Sequence, residues 1–253
     1  MKMAKQTGII KLKGTIGGVS FYKSRDGHLA REKGGVDKSR IMSDPAFQRT
    51  RENVAEFGRA GVAGKMLRTA FRTLLINASD FRMVSRLTKS MIKVIQEDLV
   101  SVRGQRNVLD GELELLRGFE FNSNGKLGTT LYAPYSGTID RVLGELTVSV
   151  PSFVPNTMVH APGGTTHFKI VSSGVAIDFE AGSYVAEVNS SAILPYNSVA
   201  TAVLNLVNSV TPASTNPLFL AVGVEFYQEI NGVQYPLKNG SFNSLSLVEI
   251  SGV

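Results

Sequence analysis

A chain of 253 residues, 43% apolar and 8% aromatic, carries enough material for one large core or two modest ones, which excludes a disordered chain. It contains no Cys, so disulfide scaffolds, thiolate zinc sites and cysteine nucleophiles are excluded together. The formal net charge of +6 is divided unevenly: residues 1–109 hold 22 basic and 9 acidic side chains, whereas residues 110–253 hold 5 and 12. The change of sign falls near Arg103-Gly104-Gln105-Arg106 and Asp110-Gly111. It predicts two domains: a basic arm, hairpin and helical region over 1–109, and a β-sandwich domain over 110–253. The basic part is suited either to a polyanion or to a solvated helical surface.

The opening residues alternate Lys with short apolar groups and never build the apolar run of a signal peptide. No later stretch approaches the length of a membrane helix, so the expected location is cytoplasmic, or within a particle assembled there. The arm Lys11-Leu12-Lys13-Gly14-Thr15-Ile16-Gly17-Gly18 leads into a predicted β-hairpin. In it Val19, Phe21 and Lys23 alternate with Ser20 and Tyr22, Asp26-Gly27 forms the turn, and His28 to Glu32 return antiparallel. Phe21 and Tyr22 have the chemistry to stack on bases while Lys23, Arg25 and Arg31 meet phosphates; the same hairpin suits a clamp on a neighbouring subunit, or Phe21 anchors it to its own core. Lys11, Lys13, Lys33 and Arg40 complete the candidate polyanion or subunit contact.

Ser43-Asp44-Pro45 predicts a helix start, because a capping side chain followed by Pro at the first helical position leaves few backbone donors unsatisfied. Phe47, Val54 and Phe57 recur near helical spacing, while Arg49, Arg51 and Arg59 interleave with Glu52 and Glu56 in the manner of a salt-bridged exposed face. Gly58 to Gly64 predicts an interruption, followed by a second helical stretch over 65–75. The same glycines fail as a phosphate-binding loop, since five residues separate Gly58 from Gly64 and Met66 stands where a hydroxyl is needed. A third helix is expected from Ser79-Asp80, with Phe81, Val84, Leu87, Met91, Ile92, Ile95 and Leu99 as its apolar stripe; the surface that covers this stripe is either the β-domain or another chain.

Beyond Asp110, short alternating runs separated by Gly, Pro, Ser and Asn predict an all-β sandwich or jelly-roll-like domain, making the fold class α+β. The expected strands cover 146–150, 167–171, 175–179, 184–188, 202–206, 218–226, 233–237 and 245–250. Asn231-Gly232 is the strongest hairpin signal in the chain. Val175, Ile177 and Phe179 are expected to face inward, with Ala176, Asp178 and Glu180 on the opposite face. From Val188 to Val224 there are 37 consecutive residues without a charge, a depletion that fits either an association surface or a hydroxyl-rich β-surface.

No catalytic constellation is legible. Asp178 and Glu180 have the spacing of an acid/base pair but read as solvated strand carboxylates. His160 and His167 flank a loop without metal-ligand spacing, and Asn77-Ala78-Ser79 reads as a helix cap. Neither a cofactor nor a metal is expected.

Three blocks resemble a Bacteroidota protein family of unknown function, with a bacterial or phage source implied. They are residues 11–23 (Lys11 to Lys23), 44–53 (Asp44 to Asn53), and Phe226-Tyr227-Gln228 with Pro236-Leu237-Lys238-Asn239-Gly240. The resemblance implies one coherent module spanning most of the chain and brings no activity with it.

The expectation is a non-enzymatic structural or assembly protein. It would self-associate through a weakly charged β-domain while its basic N-terminal arm contacts a neighbouring subunit or a polyanion. The alternative is a nucleic-acid-binding protein using the basic half, distinguished by steep salt dependence. A carbohydrate-binding module or enzyme ranks third, on fold analogy alone.

Overall fold

The computed structural model describes residues 3–32, 34–237 and 242–252. The chain divides into two compact units, residues 1–51 and 52–253. The composition boundary expected near residue 110 therefore lies inside the second unit.

In the first unit, β1 (Met3–Lys5), β2 (Gly14–Ile16), β3 (Val19–Ser24) and β4 (Gly27–Glu32) form an antiparallel sheet in the order β1-β4-β3-β2. The expected hairpin is present with its turn one residue earlier. Ser24 pairs with Gly27, so Arg25-Asp26 forms the loop, and Gly27 takes φ +109°, a conformation open to glycine. A short helix α1 (Lys38–Ser43) follows, its N-terminus capped by Asp37, which accepts from Ser39 N at 2.8 Å. Asp44 then starts the next segment as its sequence context predicts: its side chain accepts from Ala46 N at 2.9 Å, and a 3₁₀ turn over Pro45–Phe47 leads into α2 (Gln48–Ala70).

Helix α2 runs through Gly58, Gly61 and Gly64 without the expected interruption. Glycine costs a helix about 1 kcal/mol per residue, and burial of Ala60, Ala63, Leu67 and Ala70 offsets it. Gly64 brings α2 against α4 (Met83–Gln96), where an added Cβ would lie 3.6 Å from Leu87 and 3.8 Å from Met91. Between them, α3 (Arg72–Leu75) takes the end of the expected 65–75 helix. The face of α2 turned inward carries Glu56, Ala60, Ala63 and Leu67, leaving Val54 and Phe57 outside. On α4 the buried face is Met83, Leu87, Met91, Val94 and Ile95, so Leu87, Met91 and Ile95 behave as expected while Phe81, Val84 and Leu99 are exposed.

The rest of the chain contributes α5 (Leu127–Thr130), β5 (Ser136–Asp140), β6 (Glu145–Val150), α6 (Pro155–Met158), β7 (His167–Asp178), β8 (Ser183–Ser190), β9 (Leu194–Pro195), β10 (Leu204–Ser209), β11 (Leu218–Ile230), β12 (Val233–Pro236) and β13 (Ser244–Ser251). Among the described residues these strands form a three-stranded sheet, β10-β6-β5, and a six-stranded antiparallel sheet ordered β12-β11-β7-β8, with β13 on β11 and β9 on β7. The fold is α+β. Two expected strands, 167–171 and 175–179, are one strand, because Gly174 serves a close approach and not a break: a Cβ there would lie 2.8 Å from Asn208 Cβ. Strand β5 and the short β9 lie outside the expected strands. Asn231 and Gly232 take φ +54° and +77°, closing the β11–β12 hairpin as predicted.

Both faces of the central strands are covered, which corrects the expected assignment of Ala176 to an outward face. Val171, Val175, Ile177, Phe219, Ala221, Leu245 and Leu247 pack against Leu67, Leu87, Met91 and Ile95 of the helices. On the other side Phe168, Ile170, Ala176, Leu220, Val222 and Val224 pack with Leu146, Val148, Val150 and Leu206 of the three-stranded sheet. The strict period of two along β7 and β11 thus feeds two separate cores. Among the described residues, no helix is long and apolar enough to cross a membrane.

Candidate functional site

The residues singled out in the N-terminal segment are divided by the pleat. Register places Phe21 opposite Ala30 and Lys23 opposite His28 on one face of the four-stranded sheet, and Ser20 opposite Arg31 and Tyr22 opposite Leu29 on the other. Arg31 accordingly lies over the Tyr22 ring at 5.5 Å, a cation–π contact remote from Phe21. Arg25 is in the loop, Lys11 donates to Gln6 O at 2.6 Å, and Lys13 is exposed. Arg40 pairs with Asp44 at 3.2 Å and stacks over Phe47. Lys33 and Lys238-Asn239-Gly240 lie outside the described residues.

No residue described in the 4–51 segment is buried. Ile9, Ile10, Ile16 and Met42 are 102%, 80%, 63% and 62% exposed. A four-stranded sheet needs an apolar face packed on something to hold its strands in water.

In the second unit, exposed apolar side chains stand on both the helices and the sheet. On the helices, Phe57, Phe81 and Val84 line a groove of about 640 Å³ with Ile92, Lys89 and Lys93. On the sheet, strand β8 exposes every residue except Asn189, and it carries Tyr184, Val185 and Val188 with Glu187 as its one charge. It pairs with β7 on one side. On the other, Asn189 Nδ2 donates to Val207 O at 2.9 Å, and Ser209 N donates to the Glu187 carboxylate.

The ionisable groups that are buried serve the framework. Arg106 holds Glu56 with Nε and Nη2 at 2.8 and 2.9 Å, and this hydrogen-bonded pairing keeps the Glu56 carboxyl below its ordinary value. Burial raises Asp98, but backbone N–H groups of Ser101, Asn107 and Val100 outweigh it and leave that carboxyl lowered. Asp80 is likewise lowered despite burial, by the Ser123 amide and the Arg86 guanidinium. Lys169 bonds Glu225 at 3.2 Å, while Glu225 also accepts from Tyr227 Oη and Asn77 Nδ2. Glu120 differs: burial pushes its carboxyl up to about 7, against the opposing pull of the Leu127 amide, Lys126 and Arg86.

Asp178 is not arranged as half of an acid/base pair, because its Oδ1 accepts the backbone N–H groups of Glu180 and Ala181 at 3.0 and 2.8 Å and closes the β7–β8 turn. His167 Nδ1 lies 2.9 Å from Thr166 Oγ1, and its Nε2 is 3.6 Å from Glu229. The Asn77 amide that the sequence places in a cap is directed instead at Glu225, and Ser79 Oγ donates to Leu75 O at 2.7 Å. Among the described residues no three His, Asp or Glu side chains gather to hold a metal.

No protein-family model matches the sequence, and a search of curated proteins finds no match. A solved structure concerning pH-induced modulation of Streptococcus parasanguinis adhesion by Fap1 fimbriae is 11% identical, covers 47% of this chain and 80% of its own, and has a TM-score of 0.21. The crystal structure of the human F-spondin reeler domain is 12% identical over 49% of this chain and 98% of its own, with a TM-score of 0.17. Likeness at this level carries no argument about function.

Proposed function

We propose that this is a structural or assembly protein that self-associates through its weakly charged β-rich part, with the basic N-terminal segment laid on a neighbouring subunit. The observation that carries this reading is the N-terminal unit, in which no described side chain is buried and in which Ile9 and Ile10, between β1 and β2, and Ile16, on β2, are exposed. Such a unit gains its missing apolar contacts when another copy covers it. Strand β8 adds support, since it exposes Tyr184, Val185 and Val188 with a single charge among its residues. The packing of the three-stranded sheet on the six-stranded one favours a sandwich-like description of this part.

Light scattering on a sizing column, over a wide concentration range and with absorbance at 260 and 280 nm, tests the proposal. The expected result is a nuclease-resistant oligomer whose mass falls in an Ile9→Asp/Ile10→Asp variant. A strict monomer at every concentration would overturn it, and a monomer that sheds nucleic acid in salt would replace it with the nucleic-acid reading.

A further inference from the structure

The helical groove contains Phe57 from α2 and Val84 and Ile92 from α4, at a rim carrying Lys89 and Lys93. Its described lining holds two cations and no carboxylate. Phe57 is 59% exposed and Val84 45%.

A segment with the complementary character stands elsewhere in the same unit. The turn joining β5 to β6 presents Val142 and Leu143, 76% and 59% exposed, between the carboxylates of Asp140 and Glu145. The one cation in that turn, Arg141, is spent inward: Nη1 donates to Ser214 O and Asn216 O at 2.6 and 2.8 Å, and Nη2 to Ser251 O and Gly252 O at 3.0 and 2.6 Å. Asp140 Oδ1 accepts from Leu143 N at 3.0 Å, and Gly144 at φ +72° completes the bend. The tip is therefore held in one shape before it meets anything, which lowers the entropic cost of docking.

We infer that the Val142-Leu143 tip of one copy docks in the Phe57–Val84–Ile92 groove of the next, with Asp140 and Glu145 meeting Lys89 and Lys93. The tip belongs to the three-stranded sheet and the groove to the helices, layers on opposite faces of the central sheet. The contact is consequently heterologous, head to tail, and leaves a free groove on the first copy and a free tip on the next. Repetition builds a ring if the rotation closes and a filament if it does not. This inference rests on the self-association reading and specifies its contact.

Two variants separate the halves: Val142→Asp/Leu143→Asp spoils the tip and Phe57→Asp/Val84→Asp spoils the groove. All four side chains are exposed, so far-ultraviolet circular dichroism is expected to be unchanged; should the groove variant misfold, Lys89→Glu/Lys93→Glu replaces it. By light scattering each variant alone requires at least tenfold higher concentration to reach the wild-type mass, a loss of about 1.4 kcal/mol. Mixed one to one, they form a complex one step larger that does not grow further, since the one intact tip and the one intact groove are used in that contact and only the spoiled tip and spoiled groove are left. Variants that match a wild-type oligomer at equal concentration, or mixtures that form no such complex, overturn the inference and leave self-association standing. A wild-type protein that is monomeric throughout removes both.

Discussion

Replacing Arg106 with Ala tests the electrostatic account of how the loop after α4 is fastened to α2. The Glu56 side chain is 7% exposed and that of Arg106 18%, and the carboxylate accepts three N–H bonds: from Arg106 Nε, Arg106 Nη2 and, at 2.8 Å, Gly104 N. Arg106 Nη1 also reaches Gln96 O at 3.1 Å, and Arg59 donates to the carbonyls of Gly104 and Arg106. Removing the guanidinium leaves a buried carboxylate with one of its three donors, and breaking a buried pair from one side costs about 3–5 kcal/mol. We take the lower end, about 3 kcal/mol, because the Arg106 side chain is itself 18% exposed. Urea unfolding of both proteins at pH 7 supplies the measurement, with the shift in midpoint read at an unchanged slope.

The same pair sets a pH dependence of known sign. Glu56 has a folded-state value below its ordinary 4.5, so its stabilisation is complete above that value and is lost as the pH falls through the folded value. The gap between wild type and Arg106→Ala should therefore narrow in acid. A difference below about 1 kcal/mol at pH 7, the worth of an exposed pair, or a gap that widens in acid, would refute the reasoning.

Glu120 predicts the opposite slope. Its folded-state value is raised to about 7, so the cost of holding its charge is absent below the ordinary value of 4.5 and grows as the pH rises toward 7; melting temperature at pH 5 and pH 8 should fall more in wild type than in Glu120→Gln. Gly174→Ala places a Cβ 2.8 Å from Asn208 Cβ and 3.1 Å from Leu146 Cβ, and overpacking of this kind costs about 1–3 kcal/mol in denaturant unfolding. Asn231→Val forces a β-branched residue to φ +54° in the β11–β12 turn, a loss of about 1–2 kcal/mol, again read by urea midpoint.

What the sequence determined on its own was the local chemistry. Asn231-Gly232 announces its hairpin because positive φ at two successive positions is a property of those residues, and Asp44-Pro45 announces a helix start because the cap and the fixed Pro φ act within three residues. Alternation of Val175, Ile177 and Phe179 with Ala176 and Asp178 likewise identifies a strand, since period two belongs to the backbone. The candidate contact residues Phe21, Tyr22, Lys23 and Arg31 were correctly placed on a hairpin, and the pleat alone divides them between faces.

The remainder was decided by partners distant along the chain. Whether Phe57 or Ala60 turns inward depends on which face of α2 meets α4, and small residues win there because Gly64 allows Leu87 and Met91 to approach. Gly174 reads as a break until Asn208 and Leu146 are seen beside it, and the charge boundary near residue 110 reads as a domain limit until Leu87 and Ile95 are found sharing a core with Val175 and Phe219. The groove and the turn tip are invisible for the same reason. An apolar residue at helical spacing announces a face, but which face is buried is settled only when the sheet and both helices compete for the same contacts.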